Sequence, residues 1–475
     1  MRNKLISILL VLLALAAAVV ATTAGTLIWP KYTRAYQHEE AAGPEAEDAD
    51  SGVFSSHLPL VLIETGGVEI TENEKKPVSV AVVDNEGGHN HPADAPAMET
   101  AALINIRGTT SAIFPKKQYR LTFVAGLDST EKVRRGVMGM PAESDWILNA
   151  PYLDKTLMRN YMVYNLAGEI MAWSPNVRFC ELFLDGEYEG LYLMIEAIAV
   201  GDHRVNVARN TASSAETGYL LLQERDGYTK TPLKDYCALN RLTYYGIGVE
   251  YPGAVSLTDA QKAYILGSIN SFEEKLYSLG EPGVGRAYAD EINLESFVDY
   301  YIINEFTLNR DAGLYSTYCY RDPRGKLTMG PVWDFNNCFD NHFDPTPTDR
   351  LVVAGNNWFL QLTQDRVFVD TVLWRYGELR KTVLADDRLL RMIDEITAYL
   401  GPAIGRNNRR WPEMYTTGQL WPAEDGTDRD LYSYEEAIGQ LKSSIVARGR
   451  FLDENLAGLL RNPAPTATPK IVQLP

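Results

Sequence analysis

Residues 309–341 read NRDAGLYSTYCYRDPRGKLTMGPVWDFNNCFDN, and this sequence predicts a β-hairpin with an acidic residue near each end. The turn is predicted at residues 322–325, Asp-Pro-Arg-Gly, because proline fixes φ and glycine is free to take a positive φ. Asp311 lies in the loop before the first strand, and Asp334 follows the second strand. Because a hairpin folds back on itself, we expect the two carboxylates to lie close together.

A helix is predicted immediately before this hairpin, over Leu294–Leu308, where apolar residues recur at the spacing of one buried helical face. Helix, acid-bearing loop, hairpin and then Asp-Phe-X is the order of elements in protein-kinase active sites. There the loop Asp accepts the hydroxyl proton and the later Asp holds Mg²⁺. Taken singly, Asp311 is also explained as a turn residue and Asp334 as a cap. The pair in this order favours a phosphotransferase site.

Longer blocks of the sequence resemble the CotH family, which comprises secreted or spore-coat atypical kinases of bacteria. The blocks that carry the resemblance are INIRGTTSAIFPKKQYRLTF (104–123), MPAESDWILNAPYLDKTLMRN (140–160), VRFCELFLDGEYEGLYLMIE (177–196), residues 309–341, and NNWFLQLTQDRVF (356–368). The resemblance implies an α+β, two-lobed atypical protein-kinase-like fold with a β-rich N-terminal part and a helical C-terminal part. It also implies transfer of the ATP phosphoryl group to Ser or Thr of a protein, with Mg²⁺ or Mn²⁺ as the metal.

The kinase order of elements assigns a role to each acid of the hairpin. Asp311 is expected to be the catalytic base, and Asp334 is expected to bind the metal with help from Asn336. Two positions depart from the usual patterns: Asn336 stands where the family often has a second Asp, and Ser316 stands where many kinases have a metal-binding Asn. Because Ser is a weak neutral ligand, a second metal would be lost or held through water.

Nucleotide contacts are predicted in the N-terminal half of the family region. Lys117, which begins a predicted strand, is expected to reach the phosphates, as the strand lysine of kinases does. The alternative is that it is a solvated charge at a strand end, together with Lys116. Further contacts are expected from Arg159, Asn160 and Glu196. A predicted helix over residues 155–171 places Glu169 where kinases have the carboxylate partner of the lysine.

The length of 475 residues allows two or three domains, and the net charge of −17 argues against binding to nucleic acid or to anionic lipid surfaces. Residues 1–30 are predicted to be a membrane anchor or a signal peptide, because Arg2 and Lys4 precede a long apolar run. The remaining boundaries are an acidic disordered tether (31–57), a β-rich N-terminal lobe (58–200), a mostly helical C-terminal lobe (201–461) and a disordered tail (462–475). The main domain is therefore expected outside the cytoplasm, membrane-anchored or secreted.

Two smaller groups of residues leave alternatives open. His89, His91 and Asp94 have the residue types of a metal site, but they are also explained as a polar loop. The four cysteines, at positions 180, 237, 319 and 338, are too few for a disulfide scaffold and are predicted to be free buried thiols. Cys319 and Cys338 flank the hairpin, so a bond between them is the alternative.

Two classes of function follow from these features. The first is a membrane-tethered kinase that acts on secreted, coat or cell-surface proteins. The second is a catalytically inactive family member that serves as a scaffold at the cell or spore surface. A hydrolase with Asp311 as phospho-acceptor is less favoured, because Asp311 is not followed two positions later by a second Asp, as in the D-x-D pair of phosphatases.

Overall fold

The structure is a computed structural model that describes residues 29–40, 54–87, 89–108, 111–225, 245–416, 418–423 and 425–461. The chain divides into two compact units, residues 1–32 and residues 33–475, and the features below belong to the second unit. The predicted anchor residues 1–28 and the predicted tail 462–475 lie outside the described residues. Within the part of the chain that is described, no helix combines the length and the apolar character needed to cross a membrane.

The N-terminal half contains a closed β-barrel in which strands follow one another in the order β1-β2-β3-β4-β7-β9-β8, closed by parallel pairing of β1 with β8. Two short strands, β5 and β6, pair with each other outside the barrel. The strands span Leu60–Glu64 (β1), Lys76–Val83 (β2), Met98–Arg107 (β3), Gln118–Val124 (β4), Arg135–Val137 (β5), Met140–Glu143 (β6), Asp145–Asn149 (β7), Val177–Leu184 (β8) and Glu187–Glu196 (β9).

The barrel forms because its strands carry apolar residues at alternating positions, which a strand directs to one face. In β2, for example, Val78, Val80 and Val82 are all buried. These residues pack with apolar residues of the other barrel strands in one cluster. The hairpin of β8 and β9 turns at Asp185 and Gly186, which both have positive φ, as the Asp-Gly pair predicts.

A second sheet contains the predicted central hairpin. Its order is β11-β10-β12-β13, from Tyr219–Arg225 (β10), Tyr245–Tyr251 (β11), Thr317–Arg321 (β12) and Thr328–Met329 (β13). Cys319 faces Met329 across the hairpin, and the turn is closed by a hydrogen bond from Gly325 N to Asp322 O of 2.9 Å. The positive φ of this turn is at Arg324 (59°) and not at Gly325, which corrects the sequence prediction.

Helices dominate the chain after residue 250. Two α-helices of the described residues come before that point, Gln37–Glu40 (α1) and Arg159–Ile170 (α2). The later α-helices are Asp259–Tyr277 (α3), Leu294–Phe306 (α4), Asn357–Leu362 (α5), Arg366–Arg380 (α6), Asp386–Leu400 (α7), Pro402–Arg410 (α8) and Tyr434–Asn455 (α9). Capping residues fix several of these starts. Ser433, for example, accepts a hydrogen bond from Glu436 N at the start of α9. The buried pair of Arg448 and Glu305, 2.5 Å apart, ties α9 to α4. The mixed α+β character with its β-rich N-terminal half is as predicted.

Residues 33–40, predicted to belong to a disordered tether, instead pack against the barrel side of the protein. Arg34 donates a hydrogen bond to Asn165 Oδ1 of 2.9 Å, and Gln37 exchanges hydrogen bonds with the backbone of Phe179. The prediction of a tether over residues 31–57 rested on its acidic residues, which include Glu39 and Glu40, and it overlooked these polar anchors. Most of the acid-rich piece, residues 41–53, lies outside the described residues.

The structure also bears on the two smaller groups for which the sequence left alternatives open, the cysteines and the loop that contains His91. Cys180, Cys319 and Cys338 are free and buried, as predicted, whereas Cys237 lies outside the described residues. Asp94 accepts hydrogen bonds from Asn85 Nδ2 and His91 N, and the ring of His91 binds the Phe54 carbonyl. These contacts are those of a polar loop.

Candidate active site

A cleft of about 490 Å³ lies between the barrel, the start of α2 and the second sheet. It is lined by residues of β3, β4 and β7 on one side and by residues near both ends of the hairpin on the other. Of the residues predicted from the sequence, Asp311, Asp334, Asn336 and Asn160 line this cleft. The expectation that the hairpin brings the two acids to one site is therefore met.

Asp334 is held by contacts to both its backbone and its side chain. Its backbone N–H donates to the Tyr164 hydroxyl (3.1 Å), and its Oδ1 accepts a hydrogen bond from Asn336 Nδ2 (2.8 Å). Asn160 Nδ2 in turn donates to Asn336 Oδ1 (2.8 Å), and Asn160 Oδ1 accepts the backbone N–H of Phe335 (2.8 Å). The first turn of α2 therefore fixes the Asp-Phe-Asn segment by direct hydrogen bonds.

Asp311 is positioned through its backbone. Its carbonyl accepts hydrogen bonds from Leu314 N and Tyr315 N, and Asn356 Nδ2 bonds the carbonyls of Arg310 and Ala312 on either side of it. Among the described residues, none donates a hydrogen bond to its carboxylate. Burial, with the negative charge of Asp334, raises the pKa of Asp311 to about 6. A carboxylate with a pKa near neutrality and free lone pairs is suited to accept a proton.

The cations that line the cleft in the described chain are Arg107 and Arg225, and neither was predicted from the sequence. Arg107, at the end of β3, donates to Gln118 Oε1 (3.1 Å) and lies over the Trp333 ring. Burial lowers the pKa of Arg107, and the charge of Asp334 opposes this effect. Arg107 lies in one of the sequence blocks that resemble the family, residues 104–123. Only the folded structure shows that this residue, the last of β3, faces Asp334.

Lys117 was predicted to reach the phosphates, but its Nζ donates to the Ala112 carbonyl (2.7 Å) and it does not line the cleft. The neighbouring Lys116 is not a solvated charge either. It is 1% exposed, and its Nζ donates to Leu191 O and Asn407 Oδ1, which joins the barrel to α8. Both lysines precede β4, which begins at Gln118, so the direction of each side chain is set by the contacts of this loop and not by the alternation of a strand.

Three further predicted residues lie outside the cleft. Arg159 is fully buried in a salt bridge with Asp154 (2.5 Å). Glu196 is buried at the end of β9, where it accepts hydrogen bonds from the backbone and side chain of Asn176. Glu169 pairs with Arg388 of α7 and not with Lys117. These residues hold the protein together around the site, and the predicted nucleotide contacts of Arg159 and Glu196 are not supported by their positions.

Ser316 lines the cleft near Asp311 and is bound by a third carboxylate. Its backbone N–H donates to Glu224 Oε2 (3.1 Å), and its φ is 49°. A positive φ is rare for a residue with a Cβ, and it often marks a functional site. Glu224 comes from β10, and its other oxygen, Oε1, accepts hydrogen bonds from the backbone and the guanidinium of Arg225.

Comparison with known proteins shows the family to which this chain is similar. The inner spore coat protein H of Bacillus subtilis (strain 168) is 22% identical to this chain over 263 residues, which cover 54% of this chain and 64% of that protein. The chain thus matches less than two thirds of that relative's length. The family profile described as CotH kinase protein matches residues 104–452, which include most of the barrel and both acids of the hairpin. The chain belongs to the CotH kinase family.

Proposed function

We propose that this chain is a protein kinase that transfers the phosphoryl group of ATP to Ser or Thr hydroxyls of a coat or cell-surface protein. The observation that carries the proposal is the presence of Asp311 and Asp334 in one cleft, with different supports for the two carboxylates. The barrel and the helical part would then correspond to the two lobes of an atypical kinase, with the nucleotide between them.

The residues present fit a divalent metal ion. Asp334 and Asn336 would hold Mg²⁺, because carboxylate and amide oxygens are the ligands that it prefers. Asp334 Oδ2 accepts no hydrogen bond from the described residues, so that oxygen is available as a ligand. When bound, Mg²⁺ neutralises the charge of the ATP phosphates and of the transition state.

The chain's own residues supply the remaining functions of a phosphotransfer site. Arg107 binds phosphate oxygens with a planar guanidinium, which compensates locally for the acidic protein. Asp311 accepts the proton of the substrate hydroxyl at its unbonded carboxylate as that oxygen attacks phosphorus. Asn160 holds the Asn336 side chain and the Phe335 backbone, and Tyr164 holds the Asp334 backbone, so the metal ligands are oriented by direct hydrogen bonds.

The location and the substrate class follow from the relative and from the N-terminal sequence. A relative named as an inner spore coat protein favours a coat or surface protein as the substrate or partner. The apolar run of residues 5–21 after Arg2 and Lys4 favours a membrane anchor or signal peptide, with the kinase domain outside the cytoplasm. With a net charge of −17, nucleic acid is not expected as a partner.

A non-catalytic scaffold at the cell or spore surface is the second candidate. It is favoured by Ser316, because the hairpin lacks the amide that many kinases use for a second metal. Glu224 engages this serine directly.

Thermal unfolding of the full-length protein in detergent separates the two candidates. Mg²⁺–ATP should raise the midpoint of the wild-type protein, since a ligand that binds only the native state stabilises it. Asp334→Ala should remove this shift, whereas Asp349→Ala, a change at an exposed acid, should keep it. A scaffold would show no Mg²⁺-dependent shift, and equal shifts in wild type and Asp334→Ala would exclude Asp334 from the metal site.

A further inference from the structure

A second group of ligand-type side chains lies away from the cleft, where α1 meets α7. It consists of His38, Glu39 and Glu395. One ring nitrogen of the histidine and one carboxylate oxygen of each glutamate all lie within 4.8 Å of one another. None of the three residues lines the cleft that holds Asp311 and Asp334. The two groups are therefore separate sites.

His38 is held in one orientation. Its side chain is only 1% exposed, and its Nδ1 lies 2.9 Å from the Tyr161 hydroxyl. Gln37, the preceding residue, is fixed by hydrogen bonds to the backbone of Phe179. The imidazole is thus packed and oriented before any ligand arrives, which is the condition for a preformed site.

The other ring nitrogen points at the two carboxylates. Nε2 lies 3.9 Å from Glu395 Oε2, which is too long for a hydrogen bond. Among the described residues, no hydrogen bond is made by Nε2 or by the side-chain carboxylates of Glu39 and Glu395. A nearly buried imidazole nitrogen therefore lies beside two carboxylate oxygens, and all three atoms are free to bind one ligand.

We propose that His38, Glu39 and Glu395 bind a first-row divalent transition metal ion, of which Zn²⁺ is the representative. One nitrogen and two carboxylate oxygens form a usual ligand set for such ions. Metal–ligand bonds of about 2.0–2.2 Å place tetrahedral ligands roughly 3.4 Å apart, so a small contraction closes the observed separations. With Nδ1–H donating to Tyr161, the lone pair of Nε2 faces the ion.

The bound ion would fasten residues 37–40 to α7, two segments from opposite ends of the sequence. Glu395 is 55% exposed in its side chain, so the ion can enter from solvent. Tyr161, which orients His38, directly follows Asn160 of the cleft. The residue that orients His38 and the residue that holds the Asp334 segment are thus neighbours on α2.

Zn²⁺ binding to the tag-free full-length protein, freed of metal, tests this proposal by calorimetry and by the thermal midpoint. The measurements use an Asp334→Asn background, so that the cleft does not contribute a carboxylate metal ligand at that position. We expect one Zn²⁺ per chain and a rise in the midpoint. Glu395→Gln should weaken the affinity at least about tenfold, because it removes a charged ligand while keeping the size of an exposed side chain.

Glu454→Gln is the matched control, because Glu454 is also an exposed glutamate on a helix. It should leave the affinity unchanged. Equal Zn²⁺ affinities for Glu395→Gln and Glu454→Gln would overturn the proposal, as would the absence of Zn²⁺ binding. Neither outcome bears on the kinase proposal, because the cleft variant is present in every sample.

Discussion

The Asp334 end of the cleft is fixed by hydrogen bonds to side chain and backbone, whereas the Asp311 end is fixed through its backbone only. Asn336 and Tyr164 bind Asp334 directly, and Asn160 supports Asn336 from behind. Asn356 brackets the Asp311 backbone, yet none of the described residues donates a hydrogen bond to the carboxylate. Two acids of one hairpin thus have opposite environments.

The different environments of Asp334 and Asp311 suit the two carboxylates to different roles. A residue that holds a metal before reaction benefits from a fixed side chain, and the positive φ of Asp334 (62°) shows that the backbone accepts strain to place it. A base needs an open lone pair and a pKa near the working pH, and the pKa of Asp311 is about 6. This difference supports the proposal that Asp334 binds the metal and Asp311 accepts the proton.

The largest expected effect that tests this assignment comes from Asp311→Asn. Asparagine keeps the size of the side chain but cannot accept the hydroxyl proton, so phosphate transfer should fall by about 10²–10⁴-fold. Mg²⁺–ATP binding should stay within a few-fold of wild type, because the base does not hold the nucleotide. Transfer of labelled phosphate to a protein substrate and nucleotide titration measure the two quantities separately.

Asp334→Asn is the matched variant, since it makes the same chemical change at the other end of the hairpin. It should lose nucleotide binding as well as transfer. Wild-type transfer by Asp311→Asn would contradict the assignment of the base. Equal loss of nucleotide binding in both variants would remove the distinction between the two ends.

A smaller effect is expected on the free energy of unfolding, which should increase when the charge of Asp311 is removed. Since the pKa of Asp311 is raised from 3.8 to about 6, the native state binds this proton more tightly than the unfolded state does. Stability therefore falls as the pH rises through the window from about 4 to 6, and the full penalty is present above it. Asp311→Asn removes the charge, so it should be more stable than wild type at pH 7.5 by on the order of 2 kcal/mol.

Urea unfolding in EDTA at pH 7.5 and at pH 4 measures this difference, which should shrink toward zero at the lower pH. Asp349→Asn, at an exposed acid, provides the control and should show no such gain. A wild-type protein that is as stable as Asp311→Asn at pH 7.5 would show that the Asp311 carboxylate is not destabilised by burial and by Asp334.

Much of the fold was accessible from the sequence because local patterns decide it. The sequence predicted a β-rich N-terminal part, Asp-Gly is the expected turn between β8 and β9, and the spacing of apolar residues predicted α4 almost to its ends. Closure of the barrel was not predicted, because it depends on pairing between β1 and β8, which are far apart in sequence. Residues 33–40 were misjudged for the same reason, since their partners lie more than a hundred positions away.

The residues of the candidate site also fall into those that a local sequence pattern predicts and those that depend on the fold. The two acids were found because their spacing on one hairpin is a local property. The cation was misplaced, because the direction of a side chain in the loop before a strand depends on contacts that the sequence does not show. Lys117 precedes β4 and binds the Ala112 carbonyl, whereas Arg107, the last residue of β3, faces Asp334. The family block contains both residues, and only the folded structure distinguishes them.

The smallest expected effect tests this last distinction. Arg107→Gln should weaken Mg²⁺–ATP binding by about tenfold, because a partly desolvated guanidinium that contacts phosphate is lost. Lys117→Gln makes the same kind of change just before the adjacent strand β4, and it should leave nucleotide affinity within about twofold, since that ammonium lies outside the cleft. Nucleotide titration of both variants at one ionic strength gives the comparison. A tenfold loss for Lys117→Gln with no loss for Arg107→Gln would restore the lysine to the phosphates, and the cleft would then bind ATP in an arrangement different from the one inferred from Asp334 and Arg107.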